Sequence, residues 1–282
     1  MKSIMTAIST IWSDNVGLDR IVYFIHGAIW QLKRRLGLSF VTTLANGARV
    51  KIYPNTSFSG VFYSRWLERK DTLFIRAHAG LARTFVDVGA NTGVMAAQFF
   101  DKFSRFYLFE PAPSSYSVLV ETCKLNPHVD CKTFMMAIAD KPGKEVFIDE
   151  GDYSGTSRLV ARPSDSDSLG TRREVLVDTL DNALRGTVED IVLKVDVEGG
   201  EERVFVGATS LFASQRVKLV MFERLGRTNL DNLTRFFQKH DYVLFYVRDD
   251  SSTTQDENLL RTPLVNLFAC PLSVAETLTK LS

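Results

Sequence analysis

From residue 84 onward, short apolar runs alternate with segments of helical spacing, and several of the runs end on an acid or a glycine turn. TFVDV at 84–88 enters the tight turn GANTG at 89–93, and apolar residues then recur at helical spacing over 94–102. FYLF at 106–109 ends on Glu110 and Pro111, and a helix is expected over 114–125. Further strands are expected at 133–138, 191–195, 218–222, 242–246 and 264–268, with helices at 200–213 and 229–240. Strands apolar along their whole length need cover on both faces, which helical crossovers supply. The pattern predicts an α/β fold, Rossmann-like and doubly wound, around a mostly parallel sheet. Such sheets bind ligands in the crevice at the carboxyl ends of their strands. Chemistry is therefore expected just after each strand.

Ahead of this pattern, residues 1–45 read as helical. Residues 48–62 read as a strand, a Pro-Asn turn and a second extended piece, and 63–81 as a helix leading into the sheet. The expected division is an N-terminal cap segment, helical and extended, over 1–80 and the main domain over 81–282. Of the 282 residues 45% are hydrophobic, ample for a large core, and the formal net charge is +1. That balance creates no global field for nucleic acid or anionic lipid, and no nucleic-acid partner is expected. The three cysteines, Cys123, Cys131 and Cys270, form no CxxC pair. They suit a reducing, cytoplasmic setting and exclude a disulfide framework or zinc knuckle. No apolar run reaches the length of about 18 to 20 residues that a membrane span needs, and the first residues do not read as a signal peptide. Residues 21–30 are apolar, broken by His26 and followed by Lys33, Arg34 and Arg35. Such a segment either packs on the domain or lies on a membrane surface; a weak peripheral contact is expected through 18–36.

The first strand and turn spell D-x-G-x-N-x-G: Asp87, Gly89, Asn91 and Gly93. Glycine lets the chain turn sharply and approach a ligand, and the helix that follows offers free N–H groups. A dinucleotide fingerprint would read G-x-G-x-x-G, but its second and third glycine positions here hold Asn91 and Val94. A zwitterionic amino acid moiety suits the turn better, with Asp87 facing its ammonium. Glu110 ends the second strand about twenty residues after Gly89, the place from which a carboxylate accepts from ribose hydroxyls. After the third strand, Asp140 is placed to accept from an adenine amine, with Ile138 against the ring. Singly, each of these residues has an ordinary explanation as a turn or a solvated strand end; together they form a nucleoside signature. The densest acids follow the fourth strand, in LKVDVEGGEE at 193–202. Helix capping accounts for Glu201 and Glu202 but not for Asp196, and Asp196, Glu198 and Glu223 are expected to share the crevice. No histidine accompanies them, so no metal is assigned. His26, His78, His128 and His240 read as structural, and no G-x-S-x-G elbow supports serine hydrolysis.

These stretches resemble the FkbM family of methyltransferases: FVDVGANTG (85–93), FEPAP (109–113), AIAD (137–140), VDTLD (177–181), LKVDVEGGEERVFVGA (193–208), MFE (221–223) and NLFACP (266–271). Gly200 stands where that family often has alanine. The resemblance implies a seven-stranded sheet with one antiparallel strand, S-adenosylmethionine as methyl donor, and O-methylation of a small-molecule, natural-product or glycan acceptor. On that basis Asp87, Gly89, Asn91, Gly93, Glu110, Ile138 and Asp140 are expected to hold the donor. Glu198, Asp196 and Glu223 are the candidates for catalysis, with Glu198 as base. The first 80 residues, which carry little of the resemblance, are expected to cap the acceptor side through Tyr63 and Arg65. Two rivals are a nicotinamide-dependent oxidoreductase, disfavoured by the broken glycine spacing, and a non-catalytic cofactor-binding scaffold, disfavoured by the acid cluster.

Overall fold

The computed structural model describes residues 2–54, 59–151, 157–160, 170–226 and 228–279. The N-terminal segment comprises helices α1 (Lys2–Asp14) and α2 (Asp19–Arg35), the antiparallel hairpin of β1 (Phe40–Thr43) and β2 (Arg49–Ile52), a 3-10 turn at Ser59–Phe62, and α3 (Arg69–Ala77). Helix was expected through residue 45, but Val41, Thr42 and Thr43 are β-branched and stiff at χ1, and they pair with β2 instead. The second extended piece is the 3-10 turn, and the helix expected over 63–81 is confined to α3 and a 3-10 turn at Ala79–Leu81.

The main chain of elements then runs β3 (Thr84–Val88), α4 (Val94–Ala97), β4 (Arg105–Phe109), α5 (Pro113–Lys124) and β5 (Asp130–Phe134). There follow β6 (Ala137–Ile138), β7 (Gly143–Asp149), β8 (Arg158–Leu159), β9 (Thr171–Asp178) and α6 (Leu180–Ala183). Next come β10 (Ile191–Val195), α7 (Glu201–Val206), α8 (Thr209–Ala213), β11 (Val217–Arg224) and α9 (Leu230–Lys239). The chain closes with β12 (Tyr242–Val247), β13 (Thr253–Thr254), α10 (Glu257–Leu260), β14 (Val265–Pro271) and α11 (Leu272–Thr279).

The central sheet has the order β13-β12-β14-β11-β10-β3-β4-β5. β14 runs antiparallel to both its neighbours, β11 and β12, while β11, β10, β3, β4 and β5 pair in parallel. This is the seven-stranded arrangement with one antiparallel strand, extended at its edge by the two-residue β13. Every residue of β3 and β10 is buried, as strands covered on both faces require. Strand order reverses between β3 and β10, so a crevice opens beyond their carboxyl ends.

A second, four-stranded sheet, β6-β9-β7-β8, was not anticipated. The single strand expected at 133–138 is in fact two: β5 ends at Phe134 in the central sheet, and β6 begins at Ala137 in the second one. The N-terminal segment shares the central core, with Trp30 buried against Phe62 at 4.8 Å between ring centroids and Ile11, Val50 and Ile52 in one cluster with Phe85 and Phe106. Among the described residues no helix is long and apolar enough to cross a membrane.

Candidate active site

β3 and β10 lie in parallel register, with Asp87 opposite Lys194 and Val88 opposite Val195. Lys194 Nζ therefore donates to Asp87 Oδ1 at 3.1 Å and, one turn of the pleat further on, to Asp196 Oδ2 at 3.3 Å. Asp87 is fully buried. Burial opposes the charge on Lys194, but Asp87, Asp196 and Glu68 around it more than offset that and hold it protonated. Burial raises the Asp87 carboxyl, with Lys194 pulling the other way. Asp87 was expected to face the ammonium of a ligand; in this structure it meets one from its own chain and stands behind the crevice wall.

At Gly89, φ is +83°, and a Cβ would stand 1.8 Å from the Asp196 carbonyl oxygen. The glycine thus serves two ends: a left-handed turn and the contact that joins the loops after β3 and β10. Gly93 also has positive φ, but its missing Cβ makes room for Leu119 of α5, 2.6 Å away, so it packs a helix rather than facing the crevice. Asn91, at φ 48°, lines the crevice. Its N–H donates to Glu110 Oε2 at 2.9 Å, and the Ala112 N–H donates to Oε1 at 2.7 Å. Burial nevertheless pushes the Glu110 carboxyl up to about 7. Both oxygens keep a second lone pair with which to accept a hydroxyl hydrogen.

The crevice has a volume of about 140 Å³ and opens to solvent at its mouth. Gly89, Asn91, Glu110, Ile138, Asp196 and Glu198 all line it. Glu223 stands close behind: carboxylate oxygens of Asp196, Glu198 and Glu223 lie within 4.8 Å of one another. Asp140 is set back from the wall, where it accepts from Arg203 Nε at 2.6 Å while the rest of that guanidinium grips Glu145. Burial works against ionisation of Asp140, but Arg203 holds its pKa below the ordinary aspartate value. Arg203, not Asp140, is the member of this pair that reaches the crevice.

Sequence reasoning missed several wall residues. The second sheet contributes Phe147, Arg158 and Leu159. The N-terminal segment contributes Glu68, whose Oε2 accepts from Asn266 Nδ2 at 2.9 Å. Neither Tyr63 nor Arg65 lines the wall: Tyr63 is buried beneath α2, and Arg65 lies 3.5 Å from Asp19. Three non-glycine residues with positive φ, Glu68 (47°), Asn91 (48°) and Glu198 (58°), line this one crevice. Side chains rarely tolerate that conformation, and its concentration at a cavity points to function.

This is an α/β fold whose crevice, at the switch point, is lined by Gly89, Glu110 and the acids that follow β10. A family model described as the FkbM domain of methyltransferases matches residues 87–244, more than half the chain. The chain belongs to the FkbM methyltransferase family and is an enzyme that uses S-adenosylmethionine. No curated protein matches it significantly. Among solved structures it is similar to an rRNA methylase from Streptococcus thermophilus, with 10% identity over 73% of this chain and 96% of the other, at a TM-score of 0.40. It is likewise similar to the 16S rRNA N2 G1207 methyltransferase of T. thermophilus, with 12% identity over 83% of this chain and 50% of the other, at a TM-score of 0.42.

The residues present fit the donor. Gly89 allows close approach, Glu110 has acceptor capacity for two ribose hydroxyls, and Ile138 and Phe109 offer apolar surface to the base. Asp196 and Glu198 in the same lining suit a sulfonium.

Proposed function

We propose that the protein transfers the methyl group of S-adenosylmethionine to a hydroxyl of a sugar, glycan or natural-product acceptor, without a metal ion. The observation that carries this reading is the acid triad Asp196, Glu198 and Glu223, its oxygens within 4.8 Å of one another and two of its members in the crevice lining. Gly89, Asn91, Glu110 and Ile138 hold the donor directly. Asp87, Gly93 and Asp140 act through others: Asp87 fixes Lys194, Gly93 seats the turn on α5, and Asp140 orients Arg203. The donor supplies an electrophilic methyl. Catalysis then consists chiefly in aligning the acceptor oxygen with it, and Glu198 takes the hydroxyl proton. Of the three acids, Asp196 and Glu198 line the crevice, and Asp196 also accepts from Lys194.

Glu68 joins these acids from the N-terminal segment, and we assign it to the acceptor side. The carboxylates in the crevice lining can accept from the O–H groups of a hydroxyl-rich acceptor. The test is incubation of the protein with methyl-labelled donor and a panel of hydroxylated acceptors, followed by mass spectrometry. Label on an acceptor oxygen, undiminished by a chelator, is expected. Label on nitrogen, or turnover that requires an added divalent cation, would overturn the assignment.

A further inference from the structure

Helix α2 is patterned inside out. Trp30 turns inward to stack on Phe62, Gln31 Nε2 donates to Tyr63 Oη at 2.5 Å, and Gly27 lies so close to the Tyr63 ring that a Cβ would stand 2.9 Å from it. Ile21, Phe24, Ile25, Ile29, Leu32 and Leu36 turn outward and are 47% to 62% exposed. Trp12 of α1 and the connecting Leu18 extend this surface, at 61% and 79% exposed. A surface helix ordinarily shows water its polar side, and an apolar face of this extent marks a contact surface.

The charges beside it are mostly basic. Lys33, Arg34 and Arg35 close α2, and Arg20 lies near its start over the Trp12 ring at 5.2 Å. The one acid on the helix, Asp19, faces Arg65 at 3.5 Å.

We infer that α1 and α2 form a docking face for an anionic membrane surface, with α2 lying in the interface, its outward apolar residues at the acyl boundary and Lys33, Arg34 and Arg35 at the lipid phosphates. An apolar face with a basic border is what such an interface recognises. A second copy of the chain would set the same basic cluster, Lys33, Arg34 and Arg35, against itself. α2, with 17 residues, is not long and apolar enough to span but can lie flat. Its inner face grips Tyr63, and Glu68 at the crevice is only five residues further along, about 18 Å of extended chain at most. The inference stands on the helix alone and does not depend on the acceptor assignment.

The experiment is flotation of the full chain with phosphatidylcholine vesicles, with and without phosphatidylglycerol. The chain is expected to float with the anionic vesicles, about tenfold or more tighter than with zwitterionic ones. Ile25→Glu with Ile29→Glu should abolish flotation, and Arg34→Gln with Arg35→Gln should bring the anionic affinity down to the zwitterionic level. Both variants should keep their affinity for S-adenosylhomocysteine by calorimetry, which shows the fold intact. No flotation, or flotation indifferent to either pair of substitutions, overturns the inference. So does a stable dimer in light scattering that Ile25→Glu with Ile29→Glu splits, because the face would then belong to a second copy.

Discussion

Replacing Glu110 by glutamine isolates the donor side of the crevice. In the ligand-free fold burial pushes this carboxyl from an ordinary 4.5 up to about 7, against two N–H groups that favour its ionised form. At about 1.4 kcal/mol per pH unit, the ionised group costs the fold about 3 kcal/mol. The sign follows from linkage: a carboxyl raised in the fold costs nothing below its unfolded value and removes stability as pH rises through about 7. Ribose hydroxyls donating to the ionised carboxylate reverse that preference, so donor binding releases a proton below neutrality. Affinity for S-adenosylhomocysteine should be about tenfold weaker at about pH 6 than at about pH 8. In Glu110→Gln the amide has one oxygen for the N–H groups of Asn91 and Ala112, and its NH2 confronts the other, at a cost of about 1–3 kcal/mol. Removing the buried charge gives back about 3 kcal/mol, so stability near neutral pH should change by less than about 2 kcal/mol. Two ribose contacts to a neutral acceptor instead of a charged one lose about 2–3 kcal/mol together, about a hundredfold in affinity. Isothermal calorimetry across pH reads both effects. An affinity within about threefold of the parent, with the pH dependence retained, would refute the placement of the ribose on Glu110.

Lys194→Met strands Asp87 as a buried charge without its partner and should cost about 3–5 kcal/mol in urea unfolding, most of it recovered in the double variant with Asp87→Asn; no recovery would mean that the lysine acts by packing. Gly89→Ala drives a Cβ into the Asp196 carbonyl at positive φ, for a loss of about 3 kcal/mol or more by the same measurement; a stable variant would show that the two loops separate readily. Glu198→Gln should lower turnover about 100-fold or more with donor affinity unchanged, and unaltered turnover in single-turnover kinetics would remove it as base.

Much of the central sheet was legible because β3, β4, β10 and β11 are apolar along nearly their whole length, and only a sheet covered on both faces accepts such strands. Gly89, Asn91 and Glu110 were legible because turn chemistry and strand-end position are local properties. What escaped depends on cross-strand register or on distant segments meeting. Lys194 is one residue of an apolar run until the register sets it opposite Asp87, and then Asp87 ceases to be a free ligand for the donor. Asp140 was placed correctly after its strand, but its partner Arg203 lies sixty-three residues on. Glu68 reaches the crevice from the N-terminal segment, at a left-handed residue just ahead of α3. The second sheet left a weak trace, the alternation of Val175 and Val177 with exposed neighbours in β9, and β8, at two residues, is too short to carry a period. In α2 the apolar residues were visible, but only the fold shows that they face outward.

A crystal structure of the protein with S-adenosylhomocysteine tests the donor site most directly. The adenosyl group should lie in the crevice beyond β3 and β4, its ribose hydroxyls on the Glu110 carboxylate and its base against Ile138, with the sulfur turned toward Asp196 and Glu198. An adenosyl group seated elsewhere, or a crystal that takes up NAD but not S-adenosylhomocysteine, would contradict it.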